Sequence, residues 1–161
     1  MRRTVSTKVN GRPIETEIPV RLLLGEFLRD ELGLTGTKLS CGMQVCGVCT
    51  VLIDGRPVSS CTYLAVDVDG CSVETIEGLA SGDRLHPIQQ AFIDTFGLQC
   101  GFCTPGFIMT AKALLDEDPA ADRATIEHQL EGNLCRCTGY ASIVDAVELA
   151  GERIRECDDA Q

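Results

Sequence analysis

Ten cysteines in 161 residues are the side chains with the most chemistry to offer, and eight of them fall into two groups. Cys41-x4-Cys46-x2-Cys49 places three thiols on one short segment, and Cys61 follows after eleven intervening residues. C-x4-C-x2-C with a distant fourth cysteine is the plant-type 2Fe–2S spacing. Three thiolates on one irregular loop can wrap a cluster, while a neighbouring hairpin brings the fourth. Gly42 and Gly47 let backbone amides approach closely and oppose the negative charge of the sulfurs. Zinc is the rival ion, but its sites usually present paired C-x2–4-C knuckles instead of three thiols in one run.

The second group is Cys100-x2-Cys103 in QCGFCTPG and Cys135-x-Cys137 in NLCRCTGY. Each pair stands just before a predicted helix, whose free amides and partial positive charge stabilise thiolates. Two helix ends meeting would set four sulfurs around one site. On spacing alone this set suits zinc as well as iron–sulfur. A redox Cys-x-x-Cys is the weaker reading, because no thioredoxin-like βαβ setting surrounds it.

Two kinds of element must position these groups. In the first half, Val5, Thr7 and Val9 alternate with polar residues, Asn10-Gly11 supplies a two-residue turn, and Ile14, Thr16 and Ile18 alternate again. Leu24, Leu28 and Leu32 give a helical stripe ending near Gly33. A second hairpin turns at Asp54-Gly55, and Cys71 to Ile76 reads as a closing strand, so a small mixed sheet carrying one helix is expected. Beyond Gly78–Asp83 the period becomes helical: Ile88/Ala91/Phe92, Phe107/Ala111/Leu114, Ile126/Leu130 and Ile143/Val147/Ala150/Ile154. Thr104 is the expected N-cap of the second of these helices, with Pro105 at its first position. The fold class is therefore α+β, with a sheet domain at 1–77, a linker at 78–83 and a compact four-helix bundle at 84–156.

Composition narrows the function. A net charge of −10, a sequence pI near 4.6, 4% aromatic residues and no Trp argue against nucleic acid as a partner. No stretch approaches the roughly 20 apolar residues of a membrane span, so no membrane association is expected, and the apolar run an export signal would need after Met1-Arg2-Arg3 is not seen. The expected location is a reducing cytoplasm, where clustered thiols bind metal.

Taken with their flanks, the first set, then QCGFCTPG, then NLCRCTGY resemble the iron–sulfur subunit of molybdenum hydroxylases, the xanthine oxidase, aldehyde oxidoreductase and carbon monoxide dehydrogenase family. The resemblance runs from about residue 4 to residue 155 and implies a plant-ferredoxin-like β-grasp domain ahead of the bundle. It implies two 2Fe–2S clusters in this chain, with molybdopterin (molybdenum) and FAD in a large and a medium partner subunit. A heterotrimer or a dimer of heterotrimers follows, with this chain as the small electron-transferring subunit. By the same resemblance, Cys41, Cys46, Cys49 and Cys61 hold the cluster nearer FAD. Cys100, Cys103, Cys135 and Cys137 hold the one nearer molybdenum, and Gln99 and Cys137 meet the pterin cofactor. No residue of this chain is expected to act on substrate. A free-standing two-cluster carrier and a zinc-bound interaction module are the readings of other classes.

The loop departs from the family at Gly42 and Gln44, where many relatives have an acidic residue and a Gly. A Gly position with φ > 0 would put strain on Gln44, predicting a shifted potential with the cluster retained. Cys71 is expected as a small buried residue in a strand and Cys157 as an exposed thiol in an acidic tail, with a disulfide between them a minor alternative. His86 and His128 are expected on the surface, and GLTGTK (residues 33–38) as a helix cap and turn, since it lacks the Gly-Lys-Ser/Thr ending of a phosphate loop. Arg136 either offsets cluster charge, meets a cofactor phosphate or forms a surface salt bridge.

Overall fold

The structure, a computed structural model, describes residues 1–159. Strands β1 (Arg2–Val9) and β2 (Arg12–Pro19) form an antiparallel hairpin in which Val9 faces Arg12. Asn10 and Gly11 take φ of 50° and 76°, the left-handed pair that a two-residue turn needs to match strand twist. Strands β3 (Thr50–Ile53) and β4 (Arg56–Ser59) repeat the device with Asp54 at 48° and Gly55 at 79°. Strand β5 (Ser72–Glu74) runs parallel to β1 and antiparallel to β3, giving the mixed order β2-β1-β5-β3-β4.

Side-chain alternation assigns the two faces. Val5, Val9, Val51, Ile53 and Val73 turn to one side and close over Leu24, Phe27 and Leu28. Those three sit on α1 (Leu24–Glu26) and the wider π-helical turn Phe27–Glu31 that continues it, where the Leu32 amide reaches back to the Phe27 carbonyl. Leu52 turns to the other side and packs on Met109 and Ala113. All four residues of β3 are buried because both faces are covered at that strand. Burying each of these large apolar side chains stabilises the fold by about 1.5–3 kcal/mol.

Helices α2 (Pro87–Asp94), α3 (Thr104–Glu117), α4 (Arg123–Leu130) and α5 (Ala141–Asp159) share a second core. Ile88, Phe92, Phe107, Ile126, Ile143 and Val147 are the larger of its fully buried members. Helix α3 faces this core with one side and β3 with the other, so it is buried along most of its length. It stops at Glu117, before Asp118-Pro119.

Some sequence expectations need correction. Cys103, not Thr104, takes the cap position of α3, and Thr104 is the first helical residue, its buried hydroxyl without a protein partner. Pro105 is tolerated one residue later because the first turn's amides have no intrahelical acceptor anyway. Cys71 lies just before β5 and is only partly buried, because the Gly70 turn (φ 78°) delays the strand to Ser72. Burial, and then the Asp54 carboxylate beside it, push its thiol up. Cys71 and Cys157 are both free, and Cys157 is exposed on α5, which continues to Asp159. His86 is half-buried: its Nδ1 accepts the Ile88 amide and caps α2. His128 is exposed and reaches Glu131 at 3.5 Å. Gly33 (φ 70°) closes the π-helical turn Phe27–Glu31 with the Leu34 amide on the Leu28 carbonyl, so GLTGTK is a cap and turn.

Candidate metal centres

Between α1 and β3 the chain coils through Cys41–Cys49 with three left-handed residues, Gly42 (φ 65°), Gln44 (φ 60°) and Gly47 (φ 65°). This alternation turns successive amides inward. The amides of Met43, Val45 and Cys46 donate to the Cys41 sulfur and lower its thiol to about 6. Gln44 does hold the strained conformation, and the Thr62 hydroxyl donates to its Oε1 at 3.0 Å, tying the loop to the residue after Cys61. The Ser60 hydroxyl and amide both donate to the Cys49 carbonyl, bringing the end of β4 and Cys61 against Cys49. Cys49 and Cys61 are buried side by side, and burial, with the neighbouring Cys61 thiol adding to it, pushes the Cys49 thiol up to about 11.

The second set forms where the start of α3 meets the loop leading into α5. Cys100 and Cys137 are exposed, their sulfurs 3.6 Å apart. Cys103 is buried against Cys135, and burial, followed by that neighbour, pushes it up to about 12. Burial also acts to raise Cys135, but the hydroxyl and amide of Thr138, the Cys137 amide and Cys103 outweigh it and bring the thiol down to about 7. The Thr138 donors lie 3.1 and 3.4 Å from the Cys135 sulfur.

The two sets adjoin. The Leu134 amide donates to the Cys46 carbonyl at 2.9 Å. Asn133, only 4% exposed, donates through Nδ2 to the Gly47 carbonyl and accepts from the Thr110 hydroxyl of α3, each at 2.9 Å. Gly47 must be Gly on two counts: its φ is left-handed, and a Cβ there would meet the Gly132 carbonyl at 2.4 Å. A cleft of about 450 Å³ has Cys46, Cys100, Cys103, Cys135 and Cys137 in its wall.

The eight cysteines of the two sets are thus brought into two places, and within each place the thiols neighbour one another in pairs: Cys41 with Cys46, Cys49 with Cys61, Cys100 with Cys137, Cys103 with Cys135. Among the described residues no three His, Cys, Asp or Glu side chains converge on a single ion position. Thiolate-only donors in two pairs fit two irons, each taking two sulfurs, in both places. Gln99 is exposed beside Cys100. Arg136 is exposed as well, and among the described residues it has no carboxylate within ion-pair distance. Asn133, Thr138 and Tyr140 were not singled out from the sequence, although all three stand inside GNLCRCTGY; no spacing rule marks an amide or a hydroxyl as a cluster support.

Residues 7–78 match the family described as the 2Fe-2S iron-sulfur cluster binding domain, and residues 75–148 match the 2Fe-2S binding domain. The 6-hydroxypseudooxynicotine dehydrogenase complex subunit beta of Paenarthrobacter nicotinovorans is 49% identical, over 88% of this chain and 89% of that one. The caffeine dehydrogenase subunit gamma of a Pseudomonas species is 48% identical, over 89% and 88%. A chain of the crystal structure of quinoline 2-oxidoreductase from Pseudomonas putida superposes with a TM-score of 0.92 at 45% identity, over 96% of this chain and 97% of that one. The aldehyde oxidoreductase of Desulfovibrio desulfuricans gives the same score at 44% identity, but there 95% of this chain corresponds to 17% of a longer polypeptide. With two adjoining 2Fe–2S domains and relatives of this identity and coverage, the chain belongs to the electron-transferring iron–sulfur subunits of the molybdenum hydroxylase family of oxidoreductases.

Proposed function

We propose that Cys41, Cys46, Cys49 and Cys61 hold one 2Fe–2S cluster, that Cys100, Cys103, Cys135 and Cys137 hold the other, and that the chain serves as the small subunit between a large molybdopterin-binding and a medium FAD-binding subunit. The observation that carries this is the pairing of eight thiols, two pairs in each place. When bound, each cluster takes up and releases one electron at a time. The protein's part is to fix both sites in one rigid body, to supply amide and hydroxyl donors to sulfur and to exclude water from the buried pairs.

The exposed pair Cys100 and Cys137, with Gln99 beside it, is the end that meets the molybdopterin subunit, and the Cys41–Cys49 loop is the end that meets the FAD subunit. Exposed apolar side chains support two docking faces: Phe102, Leu134 and Tyr140 near the second set, Met43 (66%) and Val45 (60%) on the first loop. A carrier that met its partners only briefly would expose less permanent apolar surface at both ends. The sheet half (1–77) is read as a β-grasp, and the helices of 84–156 as a four-helix bundle, with 78–83 between them. The complex is a heterotrimer or its dimer, in the cytoplasm; among the described residues no helix is long and apolar enough to cross a membrane.

Electron paramagnetic resonance of the reduced, co-purified complex tests the assignment. It should show two distinguishable 2Fe–2S signals and a molybdenum signal, with about four irons per chain from cluster stoichiometry. A single cluster, or zinc in place of iron, would overturn it.

A further inference from the structure

Backbone amides supply the donors to Cys41, and no substitution removes an amide without rebuilding the loop. The second set is different. Among the described residues, Thr138 is the side chain that donates a hydroxyl to a candidate ligand sulfur, 3.1 Å from Cys135 Sγ. The Thr138 oxygen already accepts the Tyr140 amide at 3.3 Å, so its own proton is free to go to sulfur. Tyr140 is anchored in turn: its phenol oxygen accepts the Cys135 amide at 3.1 Å, and its ring stands edge-on to Phe107, with centroids 6.3 Å apart. Tyr140 holds a left-handed φ of 71°, a strained conformation for a non-glycine residue that the surrounding contacts sustain.

The geometry points to Thr138 as a positioning and tuning residue: its hydroxyl, aimed at Cys135 by Tyr140, raises the reduction potential of the second cluster independently of the first. A donor to a ligand sulfur favours the state with more negative charge, which is the reduced one. The effect stays local because both Thr138 donors fall on a sulfur of the second set. This inference rests on the ligand assignment proposed above.

The test uses the whole chain, reconstituted anaerobically with iron and sulfide and titrated with dithionite under electron paramagnetic resonance. The second cluster is identified as the signal lost in Cys103→Ser. In Thr138→Val both clusters should assemble, and at a fixed ambient potential the oxidised-to-reduced ratio of the second should rise about tenfold. That is a fall of about 59 mV for one electron. The first cluster should not move, and Thr138→Ser should restore the original value. An unshifted second potential overturns the inference, and so does an equal shift of both. Loss of the second cluster in Thr138→Val, with retention in Thr138→Ser, also overturns it and makes the hydroxyl an assembly element. Failure of the unsubstituted chain to take up a second cluster sinks the ligand assignment itself.

Discussion

The two thiol sets follow one plan and differ in where the plan is encoded. Each has an inner pair with a buried member, Cys49–Cys61 and Cys103–Cys135, and an outer pair closer to solvent, Cys41–Cys46 and Cys100–Cys137. The outer pair of the first set lies on one loop, and that loop's own amides serve Cys41. In the second set the outer pair spans 37 residues of chain. Closing the first loop costs little entropy, whereas the second exists only after α3 and the α5 approach have packed. One site is a local conformation and the other a product of tertiary structure.

Removing one proposed ligand from each set should give the largest effects. Cys103→Ser should abolish the second cluster, take away about half of the iron, and stop steady-state substrate oxidation by the natural acceptor in the complex. The first cluster's spectrum should persist. Cys49→Ser should do the converse. Unimpaired turnover in either variant would contradict a relay that needs both clusters.

Next in size is the clasp that joins the sets. Asn133→Ala removes two buried hydrogen bonds, although Thr50 still donates to the Gly47 carbonyl and Thr110 to the Gly106 carbonyl. With those residual partners the cost should be about 2 kcal/mol in urea unfolding of the cluster-loaded chain. Gly47→Ala reaches the clasp from the other side and should cost at least about as much, because its Cβ would collide with the Gly132 carbonyl. Both signals should change in these variants. A change confined to one set would show that the two sites are mechanically independent.

The same contrast explains what could be read in advance. The first set was legible because its chemistry is written as spacing on one loop, and both hairpins because Asn10-Gly11 and Asp54-Gly55 are local turn signals. The second set's spacing left zinc open, since the pairing of Cys100 with Cys137 depends on how two helix ends meet. Helix boundaries near the site slipped for a related reason. Cys103, whose thiol lies against Cys135, holds the position before α3 without a side-chain cap bond, and Thr104 is drawn into the first turn. Asn133 and His86 were missed as supports, because their roles require knowing which carbonyl or helix end lies beside them.

A smaller test concerns the strain stored in the local site. Gln44 carries φ 60°, which costs a non-glycine side chain about 1 kcal/mol, partly offset by the exposed Thr62 hydrogen bond. Gln44→Gly should therefore stabilise the loop slightly, by about 0.5 kcal/mol, and Gln44→Val should destabilise it by about 1 kcal/mol or more. Thermal melting of the cluster-loaded chain separates the two. Equal melting temperatures for Gly and Val would mean the loop relaxes away from the left-handed conformation.

The smallest effect should distinguish the regions by pH. Both histidines lie in the helical half, and His86 Nδ1 can accept the Ile88 amide only while unprotonated. Burial holds its imidazole below the usual 6.5; Lys112 adds repulsion, and Asp116 offsets part of it. As pH falls, the unfolded chain therefore takes up the proton first. The stabilisation is complete above pH about 6.5 and drains away below it, down to the lowered folded value. For a partly exposed group, solvent screening keeps the loss under about 1 kcal/mol. Hydrogen exchange should quicken in the α2 amides between pH 7.5 and 5.5, after correction for intrinsic rates, while the β1–β2 ladder stays unchanged. His86→Asn keeps a capping oxygen and loses the titrating ring, so it should flatten the response. If the sheet loosened in step with α2, or the slope survived in His86→Asn, the sensitivity would lie elsewhere in the chain.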